Sequence, residues 1–347
     1  MAGVSKKTVF LSRFLNEPDN PLFKLINRTF CHNYIIRFLY LIIVFALHAG
    51  VSYGQQSSLI THYMFTNMAT NPAYAGGSGG INITGLVRQQ WMGWKDDTII
   101  TNSKPQTFLV TADSPIKMLH GGVGLSISQD QIGAFKNIIV KLGYAYKMEM
   151  WSGDLSFGLQ GTLSNISYDG SKYNPVVDED PVLQPKEKKS DMSIDMSLGV
   201  FYSVPDKYYV GLSAENILQT KGKKTGYQLR RTYYLNGGYQ YILPNHPAFE
   251  LLPSAQFMFD GAAFQLNASA LLMYSNKFYG GLGYRLQDAV SILAGVIVKG
   301  VQIGVAYDIS TSAMHSYNSG GLEILVNYCF KIDTDKFRKS YRNTRFL

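Results

Sequence analysis

The stretch that decides the fold is Leu155-Ser156-Phe157-Gly158-Leu159-Gln160-Gly161-Thr162-Leu163. Apolar residues or glycine occupy its odd positions, and small or polar residues occupy its even positions. Successive side chains of a β-strand point to opposite faces, so this period of two predicts a strand with one apolar and one polar face. Residues 264–270 and 301–308 follow the same alternation.

Applied along the chain, the same test predicts an all-β fold. Most of the candidate strands match the roughly 9–11 residues that a tilted strand needs to cross a membrane. Their number is even, which brings both ends of an up-and-down barrel to one side of the membrane, here expected to be the periplasm. The prediction is an antiparallel up-and-down transmembrane β-barrel of about 14 strands in residues 81–331. The strands are 81–91, 106–113, 120–129, 137–148, 154–167, 190–203, 207–214, 228–241, 250–259, 262–274, 277–285, 288–298, 301–308 and 321–331.

The predicted connections alternate in length, as they do in bacterial outer-membrane barrels. Those expected to be long and extracellular are 92–105, 130–136, 168–189, 215–227 and 309–320. Those expected to be tight and periplasmic are 149–153, 204–206, 275–276 and 299–300. Two connections are exceptions, because 260–261 and 285–288 are short although they lie on the side where long connections are predicted. Aromatic residues near strand ends predict a membrane-interface girdle: Tyr144, Tyr146, Trp151, Tyr208, Tyr209, Tyr233 and Tyr241. A soluble β-sandwich has the same alternation and remains the alternative.

Charge is distributed unevenly along the chain. The formal net charge is +8, but residues 1–54 hold six basic and two acidic residues and residues 331–347 also hold six and two. The body between them is neutral, whereas a nucleic-acid binder concentrates positive charge on its folded body. Nucleic acid is therefore not an expected partner.

The N-terminal part has the organisation of a secretory signal. Basic residues precede the apolar run 38–47, and small residues follow up to Gly54. We predict a signal peptide with a long n-region at 1–54; the alternative, a signal anchor, would need an apolar core of roughly 20 residues. Cys31 would leave with the signal, so Cys329 could form no internal disulfide.

Two further segments flank the predicted barrel. Residues 55–80 form a periplasmic leading segment, plug-like or merely a turn that caps the barrel, and residues 332–347 form a basic periplasmic tail. Trp91 and Trp94 are expected to be girdle residues first and binding residues second. The candidate partner-binding residues are Asn71, Pro72, Ala73, Tyr74, Gly76, Trp91, Lys336, Arg338 and Lys339.

Signatures of catalysis and of metal or cofactor binding are missing from the sequence. It has no P-loop, H-E-x-x-H or G-x-G-x-x-G motif, and its G-x-S-x-G match, Gly76–Gly80, consists of glycines around Ser78. The acidic run Asp178-Glu179-Asp180 has no EF-hand spacing, so a solvated loop is favoured over a calcium site. We predict a non-enzymatic protein without cofactor or metal.

The order of several motifs resembles the PorP/SprF family of type IX secretion system membrane proteins. The resemblance rests on Gln55-Gln56, His62-Tyr63-Met64-Phe65, Asn71-Pro72-Ala73-Tyr74-Ala75-Gly76, Arg88-Gln89-Gln90-Trp91-Met92-Gly93, Gln106-Thr107-Phe108, Gly122–Leu125, Ile132-Gly133, Leu155–Leu159, Asp180-Pro181, Tyr208–Ser213 and Tyr328-Cys329-Phe330. It implies a barrel in the cell outer membrane, in contact with lipid. It also implies partnership with type IX components and a secreted, adhesin-like surface protein, as in gliding motility, without catalysis.

Three function classes follow from the sequence. They are a non-catalytic barrel that supports secretion or surface attachment of a client protein, a free-standing channel or lipophile transporter, and a barrel enzyme. The family-like motifs favour the first. The small number of charges inferred for the inner faces mildly favours a filled interior over an open pore.

Overall fold

The computed structural model describes residues 58–94, 104–172 and 188–331. The predicted signal peptide, the acidic run 178–180 and the basic tail with Lys336, Arg338 and Lys339 lie outside these residues. The strands are β1 (Gly80–Gln89), β2 (Gln106–Ile116), β3 (Gly121–Ile132), β4 (Phe135–Met150), β5 (Gly153–Asp169), β6 (Lys188–Val204), β7 (Tyr208–Glu215), β8 (Thr232–Tyr239), β9 (Tyr241–Ile242), β10 (Phe249–Phe259), β11 (Phe264–Tyr274), β12 (Phe278–Arg285), β13 (Ala289–Val298), β14 (Val301–Ser310) and β15 (Gly321–Lys331).

All strand pairs are antiparallel, and the sheet closes on itself. Each strand pairs with its neighbour in sequence, and β1 pairs with β15 from Gly80 opposite Lys331 to Gln89 opposite Leu322. The two-residue strand β9 continues β8 along β10 in the same register, so the barrel wall has 14 strands. The predicted up-and-down barrel is confirmed, and the β-sandwich alternative is excluded.

The predicted alternation separates a lipid-like exterior from a polar interior. On β5, Ser156 is 3% exposed and faces inward, whereas its neighbour Phe157 is 47% exposed and faces outward. On β15, Glu323 is buried inside and Ile324 is exposed outside. Exposed Leu, Ile, Val and Phe side chains recur around the wall, as expected of strands that face hydrocarbon. No helix within the described ranges is long and apolar enough to span a membrane.

Thirteen of the predicted strands match observed ones within three residues at either end, and the predicted strand 228–241 departs most, by four residues at its start. Residues 228–231 belong to the preceding loop, and the ladder breaks at Gln240 before resuming at Tyr241. The register places this break opposite Leu252 and Pro253. Proline lacks the N–H that a ladder hydrogen bond requires, which accounts for the interruption.

The connections define two ends of the barrel. We call the end where β1 begins the turn end; its connections are 117–120, 151–152, 205–207, 243–248, 275–277 and 299–300. We call the opposite end the loop end; its connections include 90–105, 170–187, 216–231 and 311–320. The prediction of a long connection at 130–136 is wrong, because β3 continues to Ile132 and β4 begins at Phe135. Gly133 takes a positive φ of 56°, as the first central residue of a two-residue hairpin turn does in type II′ geometry.

Two predicted girdle positions illustrate where the side-chain prediction succeeds and fails. Tyr208 is exposed on the outer face, close to Tyr202 with 6.0 Å between ring centroids. Tyr209 faces inward, because it is the next residue on the same strand, and it stacks on Phe201 at 5.6 Å. Its assignment to the girdle is therefore wrong.

Short helical segments occupy the connections and the N-terminal part. The only α-helix of the described residues is α1 (Asn67–Thr70), and 3-10 turns lie at Tyr63–Phe65, Pro72–Tyr74, Lys117–Leu119, Gly170–Lys172 and Ala313–Ser316.

Candidate functional site in the barrel lumen

Residues 58–79 lie within the barrel and are called the plug below. Thr61 and His62 contact Glu323, close to the loop end of β15. Further along, Gly76 donates its N–H to Asp113 near the turn end of β2. The plug thus runs through the lumen from the loop end to the turn end, where the chain enters β1.

Asn71 fixes the turn at the centre of the plug. Its Oδ1 accepts the N–H of Ala73 at 2.9 Å, and Pro72 occupies the first position of the 3-10 turn, where no N–H is needed. Its Nδ2 donates to the carbonyl oxygens of Val200 at 3.1 Å and Leu212 at 3.3 Å. One side chain therefore shapes the plug and ties it to two strands.

Glycines in the wall make room for this turn. A Cβ at Gly158 would lie 2.2 Å from the backbone nitrogen of Ala73, and a Cβ at Gly199 would lie 2.1 Å from Asn71 Oδ1. Real Cβ atoms do not approach so closely, so the plug packs directly on strand backbone at these points. Gly161, which faces outward on the same strand as Gly158, has open space around its Cβ position.

A group of buried charged residues holds the start of the plug. Glu323 accepts the N–H of Thr61 at 2.9 Å and of His62 at 2.8 Å, and His62 Nδ1 lies 2.7 Å from its Oε1. His62 and Glu323 are fully buried. Charge-assisted hydrogen bonds of this kind are worth about 1.5–3 kcal/mol each, so Glu323 is a strong anchor.

Asp308 forms the second anchor beside Glu323. It accepts the hydroxyl hydrogen bond of Thr61 at 2.8 Å and pairs with Arg88 at 2.6 Å, from Oδ2 to Nη2. Arg285 approaches the same carboxylate at 3.4 Å and donates to Thr61 Oγ1 at 3.0 Å. The two carboxylates and two guanidinium groups balance in charge, which offsets part of the cost of burying them. We call Thr61, His62, Arg88, Arg285, Asp308 and Glu323 the loop-end charge cluster.

A second buried ion pair holds the middle of the plug. Lys141 Nζ lies 2.5 Å from Glu215 Oε1 and donates to the carbonyl oxygen of Ala69 at 3.0 Å. The Ala69 carbonyl lies within α1, whose last carbonyl groups have no partner within the helix. The ammonium group therefore joins the plug to β4 and β7 of the wall.

The structure places the predicted partner-binding residues in different surroundings. Asn71, Pro72, Ala73 and Gly76 are buried between plug and wall, and Tyr74 is half-buried with its ring 5.3 Å from that of Phe201. The contacts of these residues within the chain are structural, and their binding of a partner stays a prediction.

Trp91 lies apart from the plug, at the loop end directly after β1. Its ring centroid is 5.8 Å from that of Trp94, which is 6.0 Å from Tyr317 on another loop. The 90–105 and 311–320 connections are joined there by the N–H of Met92, which donates to Gly320 at 2.8 Å. This position suits a residue of the membrane interface.

Apart from Asn71, the residues that hold the plug were not singled out from the sequence. Arg88 and Asp308 are the only charged residues of β1 and β14, and Glu323 shares β15 only with its terminal Lys331, which could have marked them as buried partners. Their partners Thr61 and His62 lie more than 200 positions away from Asp308 and Glu323, however. Within the described residues, no three His, Cys, Asp or Glu side chains are grouped as metal ligands.

Comparison with known proteins identifies the family. The profile described as "Type IX secretion system membrane protein PorP/SprF" matches residues 52–328. The chain belongs to the PorP/SprF family. The match spans the plug and nearly the whole barrel of this PorP/SprF protein, whereas no curated protein matches the sequence.

Several solved outer-membrane barrels are similar to the PorP/SprF chain at low identity. The KdgM porin is 10% identical, with 72% of this chain and 99% of that chain covered and a TM-score of 0.33. A Pseudomonas aeruginosa FadL homologue is 11% identical, with coverage of 75% and 98% and a TM-score of 0.38. The translocator domain of the autotransporter NalP from Neisseria meningitidis is 15% identical, with coverage of 78% and 96% and a TM-score of 0.38.

Proposed function

We propose that this PorP/SprF protein is a plugged, non-catalytic barrel of the type IX secretion apparatus. It supports the secretion or surface attachment of an adhesin-like client protein. Both ends of the barrel wall, at β1 and β15, face the periplasm, and the plug begins at the opposite, loop end. Membership of the PorP/SprF family supports the assignment to the type IX secretion apparatus. The observation that supports a plugged, non-catalytic barrel is the plug itself. It is hydrogen-bonded to opposite sides of the wall through Asn71, Lys141 and Glu323.

A filled lumen suits a scaffold better than a free-standing channel or lipophile transporter. A porin needs a continuous aqueous path, and its interior is polar and open. In this barrel, two of the cavities beside the plug have volumes of about 220 and 90 Å³. The buried contacts of the plug with the wall, from Thr61 and His62 to Glu323 and from the Ala69 carbonyl to Lys141, would have to break before the plug could leave, which favours a permanent filling.

A client-facing surface is available at the loop end. The connection 216–231 contains five basic residues and no acidic one. Asp191 of β6 accepts the N–H groups of Lys224 at 2.9 Å and Thr225 at 2.5 Å, and Asp195 accepts those of Leu218 at 2.9 Å and Thr220 at 3.3 Å. Backbone donors thus engage both carboxylates, while the side chains of Lys221, Lys223 and Lys224 stay exposed. We propose this ordered basic loop as the contact for an acidic region of the client.

The test is affinity purification of the tagged protein from detergent-solubilised outer membranes, followed by mass spectrometry. We expect type IX components and one large surface protein to be recovered. A variant with Lys221, Lys223 and Lys224 changed to Gln should lose the surface protein and keep the other components. The matched control changes three exposed lysines of the turn end, Lys207, Lys277 and Lys299, to Gln.

Two outcomes would contradict the proposal. Recovery of the barrel alone, even after mild crosslinking, would favour the free-standing channel. Equal loss of the client in both lysine variants would mean that overall charge, rather than the loop, retains it.

A further inference from the structure

The barrel wall has a gap near its turn end. Between Ser254 opposite Gly238 and Leu251 opposite Tyr241, the β8 to β10 ladder is interrupted at Leu252 and Pro253. Pro253 cannot donate a hydrogen bond, and the ring of Tyr209 occupies the space beside Gly238, where a Cβ would lie 2.4 Å from its Cε1. Gln240, across from Leu252, turns its amide towards Glu250, with 2.8 Å between Nε2 and Oε2.

A mainly apolar cavity of about 220 Å³ lies at this gap. Its inner boundary is formed by Met64 and Phe65 of the plug and by Leu271 of the neighbouring strand β11, which pairs with Leu252. Its boundary also includes Pro253 and Tyr239, which belong to the outward-facing positions of their strands. Because residues of both faces line it, the cavity spans the thickness of the wall at the gap.

Of the polar groups that line the cavity, Gln240 and Ser254 are engaged elsewhere, and the buried hydroxyl of Tyr209 is a single polar atom left beside it. Ser254 Oγ lies 2.8 Å from Ser269 Oγ and 3.1 Å from the hydroxyl of Tyr63. A buried water needs two to four polar partners, and an apolar cavity of about 150 Å³ is known to stay dry and to bind benzene. An apolar ligand therefore suits this larger cavity better than water does.

We propose that the cavity binds one acyl chain of a membrane phospholipid. Its opening lies among outward-facing aromatic residues such as Tyr208 and Tyr239, which mark the interface level of the bilayer. Exposed Lys207, in the turn next to the opening, lies where the phosphate of the same lipid would be. The acyl chain enters the wall between β8 and β10 and contacts Met64 and Phe65. It thereby links the surrounding bilayer to the plug.

Photocrosslinking in lipid nanodiscs tests this site. The full-length mature protein is reconstituted with a phosphatidylethanolamine that carries a diazirine in its acyl chain, irradiated, and mapped by peptide mass spectrometry. We expect labels on Phe65 or Leu271, which face the lumen and cannot contact bulk lipid, in addition to labels on outward residues.

A matched pair of variants separates the cavity from the outer surface. Leu252→Trp fills the cavity, and we expect labelling of the inner residues to fall at least about tenfold, or roughly 1.4 kcal/mol of binding free energy. Leu251→Trp adds the same volume on the lipid-facing side, where Leu251 is 37% exposed, and should leave the inner labels unchanged. Leu252→Phe replaces Leu252→Trp if the latter does not fold, as judged by heat-modifiable gel migration.

Three results would overturn the proposal. The first is the absence of inner labels in the wild-type protein. The second is an equal inner label in the wild-type and both cavity-filling variants. The third is inner labelling by a diazirine-bearing acylated peptide but not by the phospholipid, which would assign the cavity to a lipid-modified protein instead.

Discussion

Replacing Glu323 with Gln should release the start of the plug without unfolding the barrel. Gln has nearly the same shape, but its amide keeps one acceptor oxygen and brings N–H donors towards those of Thr61 and His62. The negative charge that faces Arg88, with 4.0 Å between Oε2 and Nε, is also lost. Removing one partner of a buried charged group costs about 3–5 kcal/mol. The barrel ladder itself does not depend on this side chain.

The expected effect can be measured as amide hydrogen exchange in the plug. Where exchange proceeds through local opening, its rate follows the opening equilibrium. A loss of about 3–5 kcal/mol corresponds to exchange faster by roughly two to three and a half orders of magnitude. We expect this increase in residues 58–66, with the amides of β1 and β15 unchanged.

The control is Glu250→Gln, which removes another inward-facing carboxylate. Glu250 accepts a hydrogen bond from Gln240 near the turn end and forms none with the plug within the described residues. Exchange in residues 58–66 should stay within about threefold of the wild type in this control, since less than 1 kcal/mol separates such rates. Exchange that stays equally slow in Glu323→Gln would refute the reasoning that Glu323 anchors the plug.

Three other perturbations test the same arrangement. Gly158→Ala should destabilise the packed plug by about 1–3 kcal/mol, measured as faster amide hydrogen exchange around Ala73, whereas the outward-facing Gly161→Ala should leave this exchange unchanged. Equal exchange in the two variants would contradict direct packing of the plug on the strand backbone. Lys141→Met leaves Glu215 buried without its partner and should lower the unfolding temperature of the barrel, and the double variant with Glu215→Leu should recover much of the loss; a double variant less stable than Lys141→Met would contradict the pairing. An epitope tag inserted directly before Ser58 should bind antibody on intact cells, because Thr61 and His62 lie at the loop end; binding only after the outer membrane is permeabilised would contradict the proposed orientation.

The barrel was predictable from the sequence because its determinants are local. Alternation such as Ser156 to Phe157 depends on neighbouring residues, and each hairpin pairs strands that are adjacent in the chain. The main error in the connections, at 130–136, arose because Asp130 and Asn137 are polar and yet continue the strands as a cross-strand pair. Polar residues at the lumen face or beyond the membrane do not end a strand.

The plug was harder to predict because its determinants are distant in sequence. The Asn71-Pro72 turn could be recognised as a turn, but its placement depends on Gly158 and Gly199, where the lack of a side chain makes room. Glycine has many roles in strands, so these positions carry no distinct signal. The inner faces also proved more charged than expected, since Arg88, Lys141, Asp308 and Glu323 form ion pairs only with residues from other strands or from the plug.

The most direct test of the plugged-barrel account is the ionic conductance of the purified protein in planar bilayers. The account predicts no stable open-channel steps for the wild-type protein. It predicts such steps after deletion of residues 58–76, which removes no residue of the 14-stranded wall. Large, constant conductance of the wild-type protein, equal to that of the deletion variant, would contradict the account and favour a free-standing channel.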